Sequence, residues 1–223
     1  MIGLFRAKMK LVIFDLDGTL LNTLEDLAAS ANAALAACGF PARSVNEVRQ
    51  FVGNGVAKLL ERALPDGAKT PENIAQLKQA FFAYYDAHLW DHTRPYPEIE
   101  KLLQALAARG VKLAVASNKY QRATERLIKH FFPEIPFIAI LGQRDGVPTK
   151  PNPQMVFDVL RTAEIRAADT LYVGDSSVDM QTAQNAKVRA CGVTWGFRSR
   201  EELAAFDGIL LADKPVQILT YLN

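Results

Sequence analysis

The sequence predicts an α/β protein: a parallel β-sheet covered by helices on both faces, with an all-helical segment inserted after the first strand. Three observations carry this prediction. A short apolar run leads directly into a pair of aspartates, Asp15 and Asp17. Apolar residues then recur at helical spacing only, as far as about Trp90. From about Arg94 onward, helical and strand-like segments alternate, which is typical of a parallel sheet.

The first strand is the most informative element. Its apolar run, residues 11–14, has the composition of a strand buried on both faces, and Gly18 marks the turn that follows. In open α/β sheets, ligands bind beyond the carboxyl ends of the strands, which is where Asp15 and Asp17 lie. A carboxylate buried without a partner costs several kcal/mol. We therefore expect a cation between these two side chains.

The inserted segment contains three helical stripes of apolar side chains, separated by turns at residues 39–41, 65–67 and 70–71. No strand is predicted within it. The stripes consist of Leu27, Ala31, Ala34, Leu35 and Cys38, then Val56, Leu59, Leu60, Ala63 and Leu64, then Leu77, Phe81, Tyr84, Tyr85 and His88.

The second half of the chain supplies the rest of the sheet. Strands are predicted at residues 111–116, 137–141, 171–173, 190–193 and 209–211. Helices are predicted between them, including a polar helix at residues 120–130, and a last helix ends the chain. The sequence has no repeat and no low-complexity stretch, so we expect one core domain with a helical insert.

Composition and charge disfavour several classes of protein. Apolar residues make up 49% of the 223 residues and the net charge is +2, which is typical of a globular protein without a bias toward nucleic acid. A basic cluster at helical spacing is interpreted as a solvated helix face. No apolar run approaches the roughly 18 residues of a membrane span. The basic cluster consists of Lys119, Arg122, Arg126 and Lys129.

The cysteines and the first residues bear on the compartment. Cys38 and Cys191 are far apart and are interpreted as small core residues, so a reducing environment is expected. Residues 1–6 lack the apolar centre of a signal peptide. Together these features predict a cytoplasmic protein.

Four polar motifs follow the predicted strands, and the carboxyl ends of parallel strands meet at one edge of a sheet. Asp15 and Asp175 are candidates for Mg²⁺, which usually takes one or two carboxylates together with phosphate oxygens. Ser117 and Lys150 can hold the equatorial oxygens of a phosphoryl group. Asp17, close to other acids, is placed to hold a proton for a leaving group. The motifs are Asp15-x-Asp17-Gly18-Thr19, Ser117-Asn118, Lys150-Pro151 and Gly174-Asp175-x-x-x-Asp179.

With these motifs in this order, nearly the whole chain resembles the haloacid dehalogenase superfamily of phosphatases. The resemblance implies a Rossmann-like core in which Asp15 attacks phosphorus and forms an aspartyl-phosphate. Asp17 would protonate the leaving oxygen and later activate water. Mg²⁺ would be held by Asp15, the main-chain carbonyl of Asp17, and Asp175, with Asp179 as a further ligand or as an anchor beside the ligands.

The resemblance also assigns phosphate binding to Thr19, Ser117, Asn118 and Lys150. The second aspartate narrows the chemistry, because the dehalogenases, phosphonatases and P-type ATPases of the superfamily lack an acid there. Asp17 therefore implies phosphomonoester hydrolysis or phosphomutase chemistry. The helical insert resembles a cap domain of residues 22–90 inserted in a core of residues 1–21 and 91–223. Such caps close over small substrates and exclude water.

Within the cap, the segment with Gly53, Asn54 and Gly55 resembles a loop of phosphoglycolate phosphatases. Its glycines let backbone amides approach a ligand, and the helix start behind it favours an anion such as the carboxylate of glycolate. A plain interhelical turn with glycine caps is the alternative. Lys58 and Arg62 on the following helix are interpreted as solvent-exposed charges.

The sequence thus predicts a Mg²⁺-dependent phosphatase of small phosphorylated metabolites, with 2-phosphoglycolate favoured. A monomer or homodimer without nucleic-acid or membrane partners is expected. The alternatives are a β-phosphoglucomutase-type phosphomutase, a nucleotidase or pyrophosphatase on the same core, and a non-catalytic binding protein. Where the family often has Asp-Ser after the first motif, this chain has Asn22-Thr23, and either residue can cap the next helix.

Overall fold

The computed structural model describes residues 9–222. A six-stranded sheet forms its centre, with every neighbouring pair parallel, and the fold class predicted from the sequence is confirmed. The strands are β1 (Leu11–Phe14), β2 (Leu21–Asn22), β3 (Arg94–Pro95), β4 (Lys112–Tyr120), β5 (Phe137–Gln143), β6 (Thr170–Gly174), β7 (Arg189–Val193) and β8 (Leu210–Ala212). Their order across the sheet is β5-β4-β1-β6-β7-β8.

Helices cover both faces of this sheet and form the inserted segment. Where a last helix was predicted, the chain forms a 3₁₀ helix at Pro215–Leu222. No helix among residues 9–222 is long and apolar enough to cross a membrane. The α-helices are α1 (Leu24–Ala37), α2 (Val45–Phe51), α3 (Val56–Ala63), α4 (Pro71–Tyr85), α5 (Ile99–Ala108), α6 (Gln121–Phe131), α7 (Gln154–Ala163), α8 (Ser177–Asn185) and α9 (Arg200–Ala204).

Strand β1 is the axis of the fold because it pairs with β4 on one side and with β6 on the other. All four of its side chains are buried. Since successive side chains of a strand point to opposite faces, Val12 and Phe14 join one apolar cluster, whereas Leu11 and Ile13 join the other. Burial on both faces explains why the run is apolar without alternation.

The helical segment leaves and rejoins the core through a short ribbon that sequence analysis did not predict. Strands β2 and β3 are antiparallel and contain two residues each, too few for an alternating pattern to be recognised. Beside the ribbon, the buried carboxylate of Asp26 accepts hydrogen bonds from the amides of His92 and Thr93 and from the Thr93 hydroxyl, at 2.7–3.1 Å. Helix α1 is thereby fixed to the returning chain.

Several local predictions need correction. Strand β4 continues through residues 117–120, so Ser117 and Asn118 lie within the strand and not after it. Tyr84, assigned to an apolar stripe, is exposed, because the buried face of α4 is formed by Leu77, Phe81 and Tyr85. Residues 1–6, whose lack of an apolar centre argues against a signal peptide, lie outside the described residues.

Both cysteines carry free thiols, as the sequence predicts. Cys191 is fully buried in β7, and burial raises the pKa of its thiol to about 12. Cys38 is only half-buried at the end of α1, so it packs at the margin of the core and not within it.

Candidate active site

The predicted site residues meet at the carboxyl edge of the sheet. Asp15 follows β1, Asp175 follows β6, Ser117 lies near the end of β4, and Lys150 lies in the connection between β5 and α7. All four line one cavity, together with Asp17. The strand-end argument therefore correctly predicted which parts of the chain come together.

Lys150 is the electrostatic centre of the site. Its ammonium donates to one carboxylate oxygen each of Asp15 and Asp179, both at 2.8 Å, and to the Tyr172 hydroxyl at 3.1 Å. The side chain is 2% exposed. Burial alone disfavours this charge, but the negative charges of Asp15 and Asp179 outweigh it and raise the pKa of Lys150 well above its usual value. Lys150 is therefore held as a cation.

The site nevertheless contains three buried carboxylates, whose combined negative charge exceeds the single positive charge of Lys150. Oxygens of Asp15, Asp175 and Asp179 lie within 4.8 Å of one another. Burial raises the pKa of Asp15 to about 6, against the opposing charge of Lys150. Burial and the charges of Asp179 and Asp15 raise the pKa of Asp175 well above its usual value. This excess of negative charge, presented by oxygen ligands alone, fits a hard cation such as Mg²⁺.

Asp179 differs from the other two acids in how its oxygens are used. One oxygen accepts from Lys150 and from Tyr172. The other accepts from the amide and hydroxyl of Ser176, which makes a capping box at the start of α8. With both oxygens hydrogen-bonded, Asp179 fits an anchoring role better than that of a direct ligand.

The loop after β7 presses against Asp175 from the other side. The amide of Phe197 donates to Asp175 at 2.7 Å, and the indole of Trp195 donates to the carbonyl of Thr19 at 3.0 Å. A Cβ atom at Gly18 or at Gly196 would collide with the Asp175 carboxyl. Glycine is therefore needed at both positions so that the two loops can enclose this side chain.

Asp17 has a partner that sequence analysis missed. The ammonium of Lys119 lies 3.0 Å from one of its oxygens and 3.1 Å from the other. The interpretation of Lys119 as part of a solvated helix face was wrong, because β4 runs through it and α6 starts only at Gln121. The Thr23 hydroxyl also donates to Asp17, at 2.7 Å, and makes no capping bond to α1.

Asn118 braces the site with its side-chain amide. The amide nitrogen donates to the carbonyls of Gly53 and Lys150, both at 3.0 Å, and its oxygen accepts from the Lys150 amide at 2.8 Å. Its polar atoms are thus committed to the backbone. The other two predicted phosphate-binding residues lie beside it: the Ser117 hydroxyl accepts from the Lys119 amide at 3.3 Å, and the Thr19 hydroxyl lies 3.4 Å from Asp175.

The glycine loop of the helical segment reaches the same cavity. Gly53 and Gly55 line it with positive φ angles of 125° and 84°. Asn54 instead accepts a hydrogen bond from Arg62 at 2.9 Å, and Arg62 also donates to the carbonyl of Phe51 at 2.7 Å. Arg62 is therefore half-buried and holds the loop, contrary to its interpretation as a solvent-exposed charge. Lys58 is exposed, as that interpretation has it.

Arg198 is a second functional candidate that sequence analysis missed. It lines the cavity from the loop after β7 and donates to the carbonyls of Arg49 and Val52 at 2.7 and 2.6 Å. The loop after β7 is thereby hydrogen-bonded to the C-terminal end of α2. Applying the strand-end argument to β7 as well would have pointed to this loop.

Known proteins with similar sequences and structures place the chain in a family. Residues 12–193 match a protein family that is described as "Haloacid dehalogenase-like hydrolase". A phosphoglycolate phosphatase of Mannheimia succiniciproducens is 36% identical over 205 residues, which cover 89% of this chain and 91% of its own. One of Vibrio vulnificus is 33% identical, with 96% of each chain covered.

Solved structures agree. The structure of a candidate phosphoglycolate phosphatase from Lactobacillus delbrueckii subsp. bulgaricus has a TM-score of 0.90 and 30% identity to this chain. The match covers 96% of this chain and 98% of that one. The resemblance inferred from the four motifs is confirmed, and this chain belongs to the haloacid dehalogenase-like hydrolase family.

Proposed function

We propose that this phosphoric monoester hydrolase is a Mg²⁺-dependent phosphatase of small phosphorylated metabolites, with 2-phosphoglycolate as its preferred substrate. The observation that carries the proposal is the position of Asp15. Its carboxylate lies at the end of β1, is paired with the Lys150 ammonium at 2.8 Å, and shares a cluster with Asp175. A nucleophile, a phosphate-binding cation and a metal ligand are thus available in one cavity.

In the proposed reaction, Asp15 attacks phosphorus in line with the ester oxygen. A bond forms between the carboxylate and phosphorus as the bond from phosphorus to the ester oxygen breaks. Asp17 donates its proton to the departing oxygen. Asp17 then takes a proton from a water molecule that attacks the aspartyl-phosphate, which releases inorganic phosphate and restores Asp15. Lys150 and Ser117 hold the phosphoryl oxygens during both steps.

The metal site belongs to the same proposal. Asp15, Asp175 and the main-chain carbonyl of Asp17 would hold Mg²⁺, with Asp179 anchored beside them. When bound, the cation offsets the negative charge of the carboxylates and of the transferring phosphoryl group. The raised pKa values of Asp15 and Asp175 support this assignment, since burial and neighbouring carboxylates make both negative charges unfavourable and a bound cation would offset that cost.

We further propose that residues 22–90 act as a cap domain over a core of residues 1–21 and 91–223. Helices α1 and α3 supply part of the cavity wall through Leu27, Val56 and Leu59. Gly53 and Gly55 bring backbone to the cavity at the start of α3, where free amides suit an anion. Asn54 keeps this loop in shape through Arg62. A small substrate enclosed between cap and core is shielded from water.

Phosphoglycolate is chosen from the relatives. Proteins named phosphoglycolate phosphatase, 33–36% identical to this chain, match it over most of its length. The helical segment, residues 22–90, lines the cavity with apolar side chains and glycines, so it supplies no polar side chain that would recognise a larger, hydroxyl-rich leaving group.

Phosphate release from a panel of phosphomonoesters tests this function. The panel contains 2-phosphoglycolate, sugar phosphates, nucleotides and pyrophosphate, each with MgCl₂ and with EDTA. We expect Mg²⁺-dependent release, fastest from 2-phosphoglycolate, and a loss of several orders of magnitude in Asp15→Asn. Asp66→Asn, at a side chain that is 99% exposed, is the control and should match the unaltered protein.

Two results would contradict the proposal. Isomerised sugar phosphates without phosphate release would identify a phosphomutase. Binding of phosphomonoesters without turnover, by a folded protein supplied with Mg²⁺, would identify a binding protein.

A further inference from the structure

Three cationic side chains line the cavity, and they differ in how fully they are engaged. Lys150 is held by two carboxylates and a hydroxyl. Arg198 donates to main-chain carbonyls of α2 and lies 3.8 Å from the Glu202 carboxylate. The side-chain nitrogen of Lys119 pairs with Asp17, and among the described residues Asp17 is its only hydrogen-bond partner. Because an ammonium carries three donors, Lys119 has capacity for a further acceptor.

Solvent does not supply acceptors for the remaining hydrogen-bond donors of Lys119, because the side chain is buried. Its side chain is 2% exposed. The ring of Tyr85 lies 4.8 Å from the ammonium, which is a favourable distance for a cation over an aromatic face. Strand β4 fixes its backbone and α4 supplies the aromatic ring. The remaining open direction is the cavity that Lys119 lines.

The place of Lys119 relative to the reacting atoms follows from Asp17. In the proposed reaction, Asp17 gives its proton to the ester oxygen, so this oxygen must lie within hydrogen-bond distance of the Asp17 carboxyl. The Lys119 ammonium lies 3.0 Å from the same carboxyl. A negative group one carbon away from the ester oxygen therefore falls within reach of Lys119.

We propose that Lys119 binds the anionic end of the leaving group and selects phosphomonoesters whose alcohol carries a carboxylate next to the ester carbon. This inference rests on the proposed phosphatase function and specifies its substrate class. The neighbouring wall of Leu27, Val56 and Leu59 offers no polar side chain that could replace such a contact. A neutral leaving group would leave the ammonium with Asp17 alone and forgo the interaction.

The competing explanation is that Lys119 only positions Asp17. A positioning residue would affect every substrate to the same degree, because each one needs the same proton. A residue that binds the leaving group would affect anionic leaving groups selectively. The ratio of kcat/KM between a charged and a neutral substrate separates the two explanations.

The experiment compares 2-phosphoglycolate with 2-hydroxyethyl phosphate, whose leaving group is similar in size but neutral. We expect Lys119→Met to lower the ratio of kcat/KM for these substrates by roughly 10- to 100-fold, as for loss of a buried charge pair. Lys119→Arg, which keeps the charge, should retain most of the ratio. Lys101→Met, at an exposed lysine of α5, is the control and should leave the ratio unchanged.

An unchanged ratio in Lys119→Met, with both rates lowered equally, overturns the inference but leaves the phosphatase function intact. Absence of phosphate release from every phosphomonoester, by the unaltered protein, overturns the phosphatase function itself.

Product inhibition gives a second test that does not depend on the folding of Lys119→Met. Glycolate should inhibit the unaltered protein at a concentration roughly tenfold or more below that needed for ethylene glycol, because only glycolate carries the anion that Lys119 binds. Equal inhibition by the two compounds would contradict the inference.

Discussion

At the scale of single residues, the electrostatics of the site depend on how many oppositely charged partners each buried group has. Lys150 contacts two carboxylates, whereas Asp175 receives one main-chain amide at 2.7 Å and no cationic side chain as a hydrogen-bond donor among the described residues. Within residues 9–222, Asp175 therefore has no hydrogen-bonded cationic side chain to offset its charge, and Asp15 shares Lys150 with Asp179. The titration of Asp15 and Asp175 should be visible in the stability of the metal-free protein.

We expect the metal-free protein to lose stability as the pH rises through the titration of Asp15. Burial raises the pKa of Asp15 from 3.8 to about 6, so between these values the folded chain binds more protons than the unfolded chain. Stability is therefore greatest at the acid end of this window, and the free energy of unfolding falls across it by on the order of 1–3 kcal/mol. Denaturant unfolding in EDTA at several pH values measures the change.

The matched variant is Asp15→Asn, which cannot titrate. Its loss of stability across the same pH window should be smaller, although some remains, because burial shifts the pKa of Asp175 in the same direction. An equally steep loss in the variant would show that Asp15 is not responsible.

At the scale of elements, the sequence predicted what depends on local periodicity and missed what depends on distant partners. The apolar stripes located the helices, and the uniform apolar run located β1, because burial follows these repeats. Lys119 was misassigned because its partner Asp17 lies 102 positions away. Arg198 was missed because its carbonyl acceptor at Val52 lies 146 positions away. The first contact exists only once β1 and β4 have paired, and the second only once the sheet edge and the helical segment meet.

Arg198 should control how firmly the helical segment is held. We expect Arg198→Ala to raise the KM for the substrate by roughly tenfold and to speed proteolysis near residues 51–55, because α2 loses the side chain that caps its carbonyls. Steady-state kinetics and limited proteolysis of the same samples measure both effects.

The control lies two residues away. Arg200 pairs with Asp213 at the surface and is 52% exposed, so Arg200→Ala should change neither KM nor the cleavage pattern. If Arg198→Ala behaved like this control, the hydrogen bonds from Arg198 to the end of α2 would not help to hold the helical segment against the core.

At the scale of the whole molecule, the proposed metal site should link metal binding to global stability. Asp15 follows β1 and Asp175 follows β6, and these two strands are hydrogen-bonded neighbours in the sheet. In the proposed metal site, a cation between Asp15 and Asp175 would crosslink adjacent strand ends and the loop at Phe197. Since a ligand that binds only the folded state stabilises it in proportion to the logarithm of its concentration, Mg²⁺ should raise the unfolding temperature of the entire protein.

Asp175→Asn separates this metal effect from a defect in folding. Asparagine can still accept the hydrogen bond from the Phe197 amide, and it removes a carboxyl whose pKa is raised by burial, so the metal-free variant should be at least as stable as the unaltered protein. With its charge gone, Mg²⁺ affinity should fall roughly tenfold or more. Thermal unfolding and calorimetric titration with MgCl₂ measure the two quantities. Asp179→Asn should weaken Mg²⁺ less, because both Asp179 oxygens already accept hydrogen bonds. Equal Mg²⁺ stabilisation of the unaltered protein and Asp175→Asn would contradict the assignment of Asp175 as a ligand.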